Sequence, residues 1–318
     1  TAVACTNDGV PERRAMNHAR PRYLESKRSI DARAFSRRVR ERLLTELPPD
    51  PRIVEAGCGT GVTVSRLRSW GVDSGRYRGV DTDERIVAFA RDVRPKALRR
   101  RGYRVSDAAR AHREEMAARS TDGDALGTDF AVGDLGVRFE VGDALQVLDA
   151  TTGRDLVVAQ AFADLVSLPR FVSAVESALR PAGLAYLPIT FDGGTIFQPD
   201  HPADDAVERA YHAAIDARPG RDVRAGRHLV DLCRRREGTL LAVGSSDWIV
   251  RPRARRYPGD ERYFLSRILG FVEEAVGSAS RSVEDLDSWL RTRRRQLERG
   301  ELTYVAHQYD LLYRAPPD

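Results

Sequence analysis

Three glycines at alternate positions, Gly57, Gly59 and Gly61, follow a short β-branched run in Arg52-Ile-Val-Glu-Ala-Gly-Cys-Gly-Thr-Gly-Val62. A run of this kind reads as a strand, and the residues after Val62 carry a helical pattern, so the glycines form a strand-to-helix turn. Glycine tolerates positive φ and lets backbone lie against a ligand, while a helix N-terminus offers unpaired N–H groups. The stretch predicts an α/β fold that holds a nucleotide-like ligand on this loop. A Gly-x-Gly-x-Gly string also occurs in other tight turns, and the surrounding chain narrows the reading.

Acids stand where the strands end. Glu55 closes the first strand just before the glycines, and a second run, Tyr77-Arg-Gly-Val80, ends in Asp81. An acid at the end of the second strand can accept both hydroxyl protons of a ribose. A third run over 137–141 leads into Gly142-Asp143-Ala144, and a fourth, Asp155-Leu-Val-Val-Ala159, comes next. The dinucleotide-binding spacing Gly-x-Gly-x-x-Gly is not met, because residues 57–62 read Gly-Cys-Gly-Thr-Gly-Val.

Taken in order, Glu55-Ala-Gly-Cys-Gly-Thr-Gly61, Gly79-Val-Asp81-Thr-Asp83, Val141-Gly-Asp143-Ala144, Asp155-Leu-Val-Val-Ala-Gln160 and Leu179-Arg-Pro-Ala-Gly183 resemble the class I S-adenosylmethionine-dependent methyltransferases. The resemblance covers roughly residues 30 to 190. It implies a doubly wound α/β sheet of seven mostly parallel strands, the last antiparallel, with helical lid insertions at the carboxyl edge where ligands bind. It implies S-adenosyl-L-methionine as cofactor. Gly57, Cys58, Gly59 and Gly61 would then lie against its methionine and ribose parts, and Glu55 would orient the loop or meet the amino group. Asp81, with Thr82 beside it, would take the ribose hydroxyls, and Asp83 is the fallback if the strand ends later. Asp143 would meet the adenine amino group with Ala144 alongside, and Gln160 would stand next to the sulfonium.

The 318 residues, 42% hydrophobic, suffice for one large domain with appendages. No run of about eighteen apolar residues exists. The first residues lack the basic-then-apolar layout of a signal peptide. Cys5, Cys58 and Cys233 make no Cys-x-x-Cys, so a reducing, cytoplasmic setting without a membrane is expected. The net charge of +5 comes from arginine, since Lys27 and Lys96 are the only lysines. Arginine clusters at 99–101, 234–236, 251–256 and 291–295 are interspersed with acids and lack interleaved aromatics. Solvated helix faces are therefore expected, and nucleic acid is not.

Residues 1–30 read as an N-terminal arm, and 31–318 as a methyltransferase-like domain with insertions at about 95–135, 191–225 and 253–300. Apolar spacing predicts a helix over 31–47, capped by Asp31 and ended by Pro48-Pro49. Further helices are expected over 83–91, 107–119 (carrying His112 and Met116), 168–179, 204–217, 226–236, 260–276 and 283–299. A Gly/Asp-rich loop is expected over 121–127, and later strands over 184–190, 239–250 and 302–314.

Methyl transfer from a sulfonium is an in-line displacement, so the protein must position donor and acceptor, exclude water and sometimes remove a proton. Asp192, directly after the fifth strand, is expected at the pocket mouth. His212 and Asp216, four residues apart on one helix face, form a pair that can orient an imidazole as base. Asp164 follows the fourth strand and suits a base or polar clamp; a surface pair competes for His212 and helix capping for Asp164. Ser245-Ser-Asp-Trp248 and His307-Gln-Tyr-Asp310 place polar groups in apolar strands, where they must pair with each other or face the lid cavity. No cluster has metal-ligand spacing, so a metal-independent enzyme is expected. The reading is methylation of a small or medium-sized metabolite. Its alternatives are an RNA or protein methyltransferase using the arginines, or a non-methylating S-adenosylmethionine binder, and a homodimer stays open.

Overall fold

A computed structural model describes residues 21–107, 127–278 and 283–317. Three short helices come first, α1 (Pro21–Ser26), α2 (Arg28–Ala34) and α3 (Arg37–Glu46). Strands and helices then alternate: β1 (Arg52–Ala56), α4 (Val62–Ser69), β2 (Ser74–Asp81) and α5 (Glu84–Arg100). Two short strands, β3 (Val105–Asp107) and β4 (Phe130–Val132), precede β5 (Asp134–Val141), α6 (Ala144–Asp149) and β6 (Arg154–Val158). After a single 3-10 turn, Ala163–Leu165, come α7 (Leu168–Ala178) and the long β7 (Leu179–Gln198). The chain finishes with α8 (Asp204–Asp216), α9 (Ala225–Arg234), β8 (Thr239–Ser245), β9 (Trp248–Val250), α10 (Glu261–Gly277), α11 (Leu286–Glu298) and β10 (Thr303–Arg314).

These strands form one sheet in the order β3-β4-β5-β2-β1-β6-β7-β10-β8, with β9 paired to β10. The neighbours from β5 to β7 run parallel. Both β7 and β8 pair with β10 in antiparallel fashion, so β8 shares the direction of the parallel core. Without the short β3, β4 and β9, these are the seven strands, with the last antiparallel, that the resemblance implies. The strand order reverses between β1 and β6, and the carboxyl ends of those strands open the crevice where such sheets take ligands.

Burial follows the layers. One face carries a core with Val39, Leu43, Val64, Val87 and Phe139 under α3, α4 and α5. The other carries Leu148, Phe171, Val175 and Leu229 under α6, α7 and α9. A third core has no counterpart in a bare doubly wound sheet. Tyr23, Val207, Phe264, Phe271 and Trp289 join α1, α8, α10 and α11 over one end of the sheet. Trp289 is fully buried, and its Nε1 donates to Asp204 Oδ1 at 2.7 Å, which ties α11 to α8.

Four local expectations change. The helix expected over 31–47 is two helices. Asp31 lies inside α2 and is no cap, and at the break the Ser36 N–H donates to Asp310 Oδ2 at 2.8 Å. A partner distant in sequence thus satisfies the N–H that would otherwise be orphaned. The strand expected to stop at 190 runs on to Gln198, because β10 pairs with it from Thr303 to Arg314. The strand expected over 239–250 is interrupted at 246–247, giving β8 and β9, both held by β10. Finally α5 reaches Arg100 with Pro95 inside it, well past the expected 91.

Residues 1–20 of the expected arm, with Cys5, lie outside the described residues. So do His112, Met116, most of their helix and most of the loop at 121–127. Among the described residues no helix is long and apolar enough to cross a membrane. Of the arginine clusters, 99–101, 234–235 and 251–256 are largely exposed, whereas Arg293 is fully buried.

Candidate active site

The loop after β1 holds its shape through the acids around it. Gly57, Gly59 and Gly61 have φ of +67°, +52° and +70°, a region that costs any residue with a Cβ. A Cβ on Gly57 would come within 2.5 Å of Phe162 Cδ2. The Gly59 N–H donates to Asp81 Oδ2 at 3.0 Å, and the Asp83 N–H donates to Asp81 Oδ1 at 3.1 Å. Each carboxylate oxygen keeps a lone pair for a further donor. Asp83 instead caps α5, accepting from Arg85 N at 2.9 Å, and Asp143 caps α6, accepting from Gln146 N at 2.9 Å.

A cavity of about 490 Å³ starts at this loop, within the range of small-molecule sites. Its first half is lined by Gly57, Gly59, Asp81, Thr82, Asp143, Ala144 and Gln160, from the carboxyl ends of β1, β2, β5 and β6. Burial raises the Asp81 carboxyl above its ordinary value. The cavity then continues under the lid, between Tyr23 of α1, Phe191 of β7, Tyr211 and Ile215 of α8, Ile268 and Phe271 of α10, and Tyr304 of β10.

Three expected cofactor residues sit behind the lining. Gly61 starts α4 and packs against Phe139. Cys58 is buried and directs its N–H at Val80 O, 2.8 Å away. Glu55 is 2% exposed and accepts from Thr63 Oγ1 at 2.7 Å and from the Tyr77 hydroxyl. It holds the start of α4 against β2 from inside the sheet.

Burial pushes the Glu55 carboxyl up to about 7, and that of Asp310 up to about 6. A carboxyl whose folded pKa exceeds its unfolded value favours the fold while protonated. Its contribution is complete below the unfolded pKa and is lost as pH rises through the folded one. Glu55→Gln should therefore flatten the fall in stability between about pH 4.5 and 7. Urea titrations of both proteins at pH 5 and pH 8 check this; parallel changes with pH would contradict it.

Gln160 is held from behind by a buried network. Asp31, 1% exposed, accepts from Gln160 Nε2 at 2.8 Å, Arg66 NH2 at 3.0 Å and Trp248 Nε1 at 3.0 Å. Arg66 also donates to Gln160 Oε1 and lies 4.8 Å from the centroid of the Phe35 ring. Asp31 and Arg66 thereby join α2, α4, β6 and β9, and with them the cavity-lining Gln160 and Trp248. Sequence reasoning missed this role because Asp31 looked like a helix cap; the one available signal was a polar residue on the inward side of its helix.

The three expected catalytic residues are not gathered at one point. Asp164 lines the cavity, and its carboxyl is raised by burial and opposed by Arg221. His212 stands one residue back from it. Its Nε2 is 2.9 Å from Thr195 Oγ1, and Thr195 lines the cavity. Glu208 Oε1 accepts from the Thr195 N–H at 2.8 Å, whereas Asp216 accepts from the Val223 N–H and does not orient the imidazole. Burial lowers the His212 pKa and favours the neutral ring. Asp192 is on the other face of the sheet. Because β7 continues through it, alternation sends Phe191 to the cavity and Asp192 beneath α9. There it accepts from Arg227 N at 2.8 Å and from Arg227 Nε at 2.9 Å.

The two polar strand clusters divide between internal pairing and the cavity, which Trp248 and Gln308 line. Asp247 Oδ1 meets Ser245 Oγ and His307 Nδ1, each at 2.8 Å, and Asp310 Oδ1 accepts from Ile189 N at 2.9 Å. Ile189 lines the cavity at φ +58°, a strained value for a β-branched residue that this hydrogen bond holds.

A parallel sheet reversing at β1 and β6, a seventh strand returning antiparallel and a cavity at the glycine loop decide the architecture. The chain has the class I methyltransferase fold. No protein-family model matches it, and no curated protein does. Among solved structures it is similar to a candidate type II methyltransferase from Anaeromyxobacter dehalogenans, with 16% identity and a TM-score of 0.49 over 89% of this chain and 98% of that one. A SAM-dependent methyltransferase from Thiobacillus denitrificans, bound to S-adenosyl-L-homocysteine, is 15% identical, with a TM-score of 0.46 over 91% and 96%. The 4+2 cyclase SpnF is also 15% identical, with a TM-score of 0.43 over 94% of each chain. Likenesses this distant say nothing of the reaction, which belongs to the residues of the site.

Proposed function

We propose that this chain is an S-adenosylmethionine-dependent methyltransferase for a small, largely apolar metabolite. The observation that carries the reading is the continuity of the cavity. One end has the backbone of Gly57 and Gly59 with the carboxylates of Asp81 and Asp143, and the other is an aromatic chamber roofed by α1, α8 and α10.

The residues of the first half fit the cofactor. Gly57 and Gly59 leave the backbone bare, Asp81 has lone pairs for ribose hydroxyls, and Asp143 and Ala144 suit the adenine. Lys27 lines the cavity and supplies a cation for a carboxylate. When bound, the cofactor supplies a methyl group already activated on a sulfonium, so the chain's own work is orientation, exclusion of water and proton removal. Tyr23, Phe191, Phe271 and Tyr304 enclose the acceptor and keep water out. Thr195 Oγ1 lines the acceptor end, takes the acceptor's proton as it hands its own hydroxyl proton to Nε2 of the neutral His212 ring behind it, and so ends as a hydroxyl again, with the imidazole protonated; Asp164 is the alternative base.

His212→Ala and Thr195→Val should each lower turnover by about 10²-fold or more while leaving S-adenosylhomocysteine affinity in place. The acidic limb of the pH–rate profile should lie below imidazole's ordinary value and vanish in His212→Ala. An unchanged profile would return His212 to a packing role.

The central experiment supplies methyl-labelled S-adenosylmethionine and a cell extract, with and without nuclease and protease treatment. Label in the small-molecule fraction that survives digestion is expected. Label confined to RNA or protein supports the macromolecular alternative, and calorimetric cofactor binding without any labelled product supports a non-methylating binder.

A further inference from the structure

Gln308 is a polar residue of the chamber with no part in the steps above. It sits on β10, 3% exposed, and lines the cavity. Its Oε1 is buried without a hydrogen-bond partner. The backbone around it is fully engaged: the Gln308 N–H donates to Asp247 Oδ1 at 3.2 Å, and its carbonyl accepts from Ser246 N at 2.9 Å. The strand thus fixes where the side chain starts. Register sets Gln308 opposite Phe191 and Ala306 opposite Thr195, with a bulge in between, so Gln308 lies two residues along β10 from the residue that pairs with Thr195.

The surroundings leave few donors for that oxygen. Phe191, Trp248, Ile268, Tyr304 and Ala306 also line the chamber, mostly with carbon. A buried carbonyl oxygen in such walls is costly until a donor reaches it, and a polar site rejects a ligand that lacks the matching group. Aromatic walls favour a flat, ring-bearing body. We infer that Gln308 sets acceptor specificity by accepting a hydrogen bond from a hydroxyl or N–H on an otherwise apolar, ring-bearing molecule. The inference rests on the chamber being the acceptor half of the proposed methyltransferase site.

Two probes of nearly equal shape test it, 2-naphthol, which carries the donor, and 2-methoxynaphthalene, which does not. Affinity for S-adenosylhomocysteine is measured first by calorimetry. Should it fail to bind, the cofactor proposal falls, and the naphthalene pair is compared on the protein alone. In the S-adenosylhomocysteine-loaded protein, 2-naphthol should bind about ten-fold more tightly than its methyl ether. Gln308→Met, which keeps the length and removes the amide, should bring the two within about two-fold with S-adenosylhomocysteine affinity preserved. Equal affinities in the native protein, binding of neither probe, or a preference that survives in Gln308→Met would each overturn the assignment. The native comparison needs no variant, so misfolding of Gln308→Met leaves the test intact.

Discussion

Asp81→Ala should weaken S-adenosylhomocysteine binding by about 10- to 150-fold, the equivalent of ~1.5–3 kcal/mol for hydrogen bonds to a charged group. The carboxylate acts in two places. It faces the cavity, where ribose hydroxyls would donate to it, and it accepts from the backbone of Gly59 and Asp83. Truncation removes the ligand contact and frees the glycine loop at once, so the loss should fall at the upper end of that range. Asp83→Ala is the internal comparison. It removes the cap of α5, for about 1 kcal/mol of stability, and should leave affinity within about two-fold. Equal calorimetric binding by Asp81→Ala and the native chain would sink the cofactor assignment.

Asp31→Ala should cost ~3–5 kcal/mol of stability, because it strands a largely buried guanidinium without its carboxylate partner. Arg66, Gln160 and Trp248 all donate to Asp31. With the carboxylate gone, the Arg66 side chain, 11% exposed, is left with Gln160 and the Phe35 ring among the described residues. Surface pairs elsewhere give the contrast. Arg37–Glu41, whose side chains are 82% and 55% exposed, should yield under about 1 kcal/mol on Glu41→Ala. Urea unfolding followed by tryptophan fluorescence measures both, since Trp248 reports on the network directly. A loss below about 1 kcal/mol for Asp31→Ala would mean that the network is solvated and does not hold α2 against the sheet.

Much of the cavity's end at the glycine loop was legible because its geometry is local. A strand that ends in an acid, turns on glycines and starts a helix places its groups within a few residues, which is why Gly57, Gly59 and the strand-end Asp81 stood out in the sequence, whereas Asp143 and Gln160 were named from the family resemblance. Gly61, Cys58 and Glu55 belong to the same segment, yet they face the interior, where Phe139, Val80 and Thr63 hold them. Local pattern locates a loop without saying which of its side chains reach the ligand. Tyr77 was read only as part of a strand, although its hydroxyl is a donor to Glu55.

The chamber under the lid depends on partners far away in the chain. Asp192 seemed to follow a strand, but β10 extends that strand and turns the side chain to the opposite face. The break between α2 and α3 is held by Asp310, 274 residues from Ser36. His212 could be picked out as an imidazole on a helix face, yet Thr195 Oγ1, seventeen positions earlier, is what connects it to the cavity. The residues themselves therefore fixed most of the strands and the glycine loop, since strand periodicity and turn chemistry act over neighbouring residues, while the polarity of the sheet was read from the family resemblance. Only the tertiary structure decided which polar groups face the chamber, because the length of β7 and the orientation of its side chains depend on pairing with β10 at the far end of the chain.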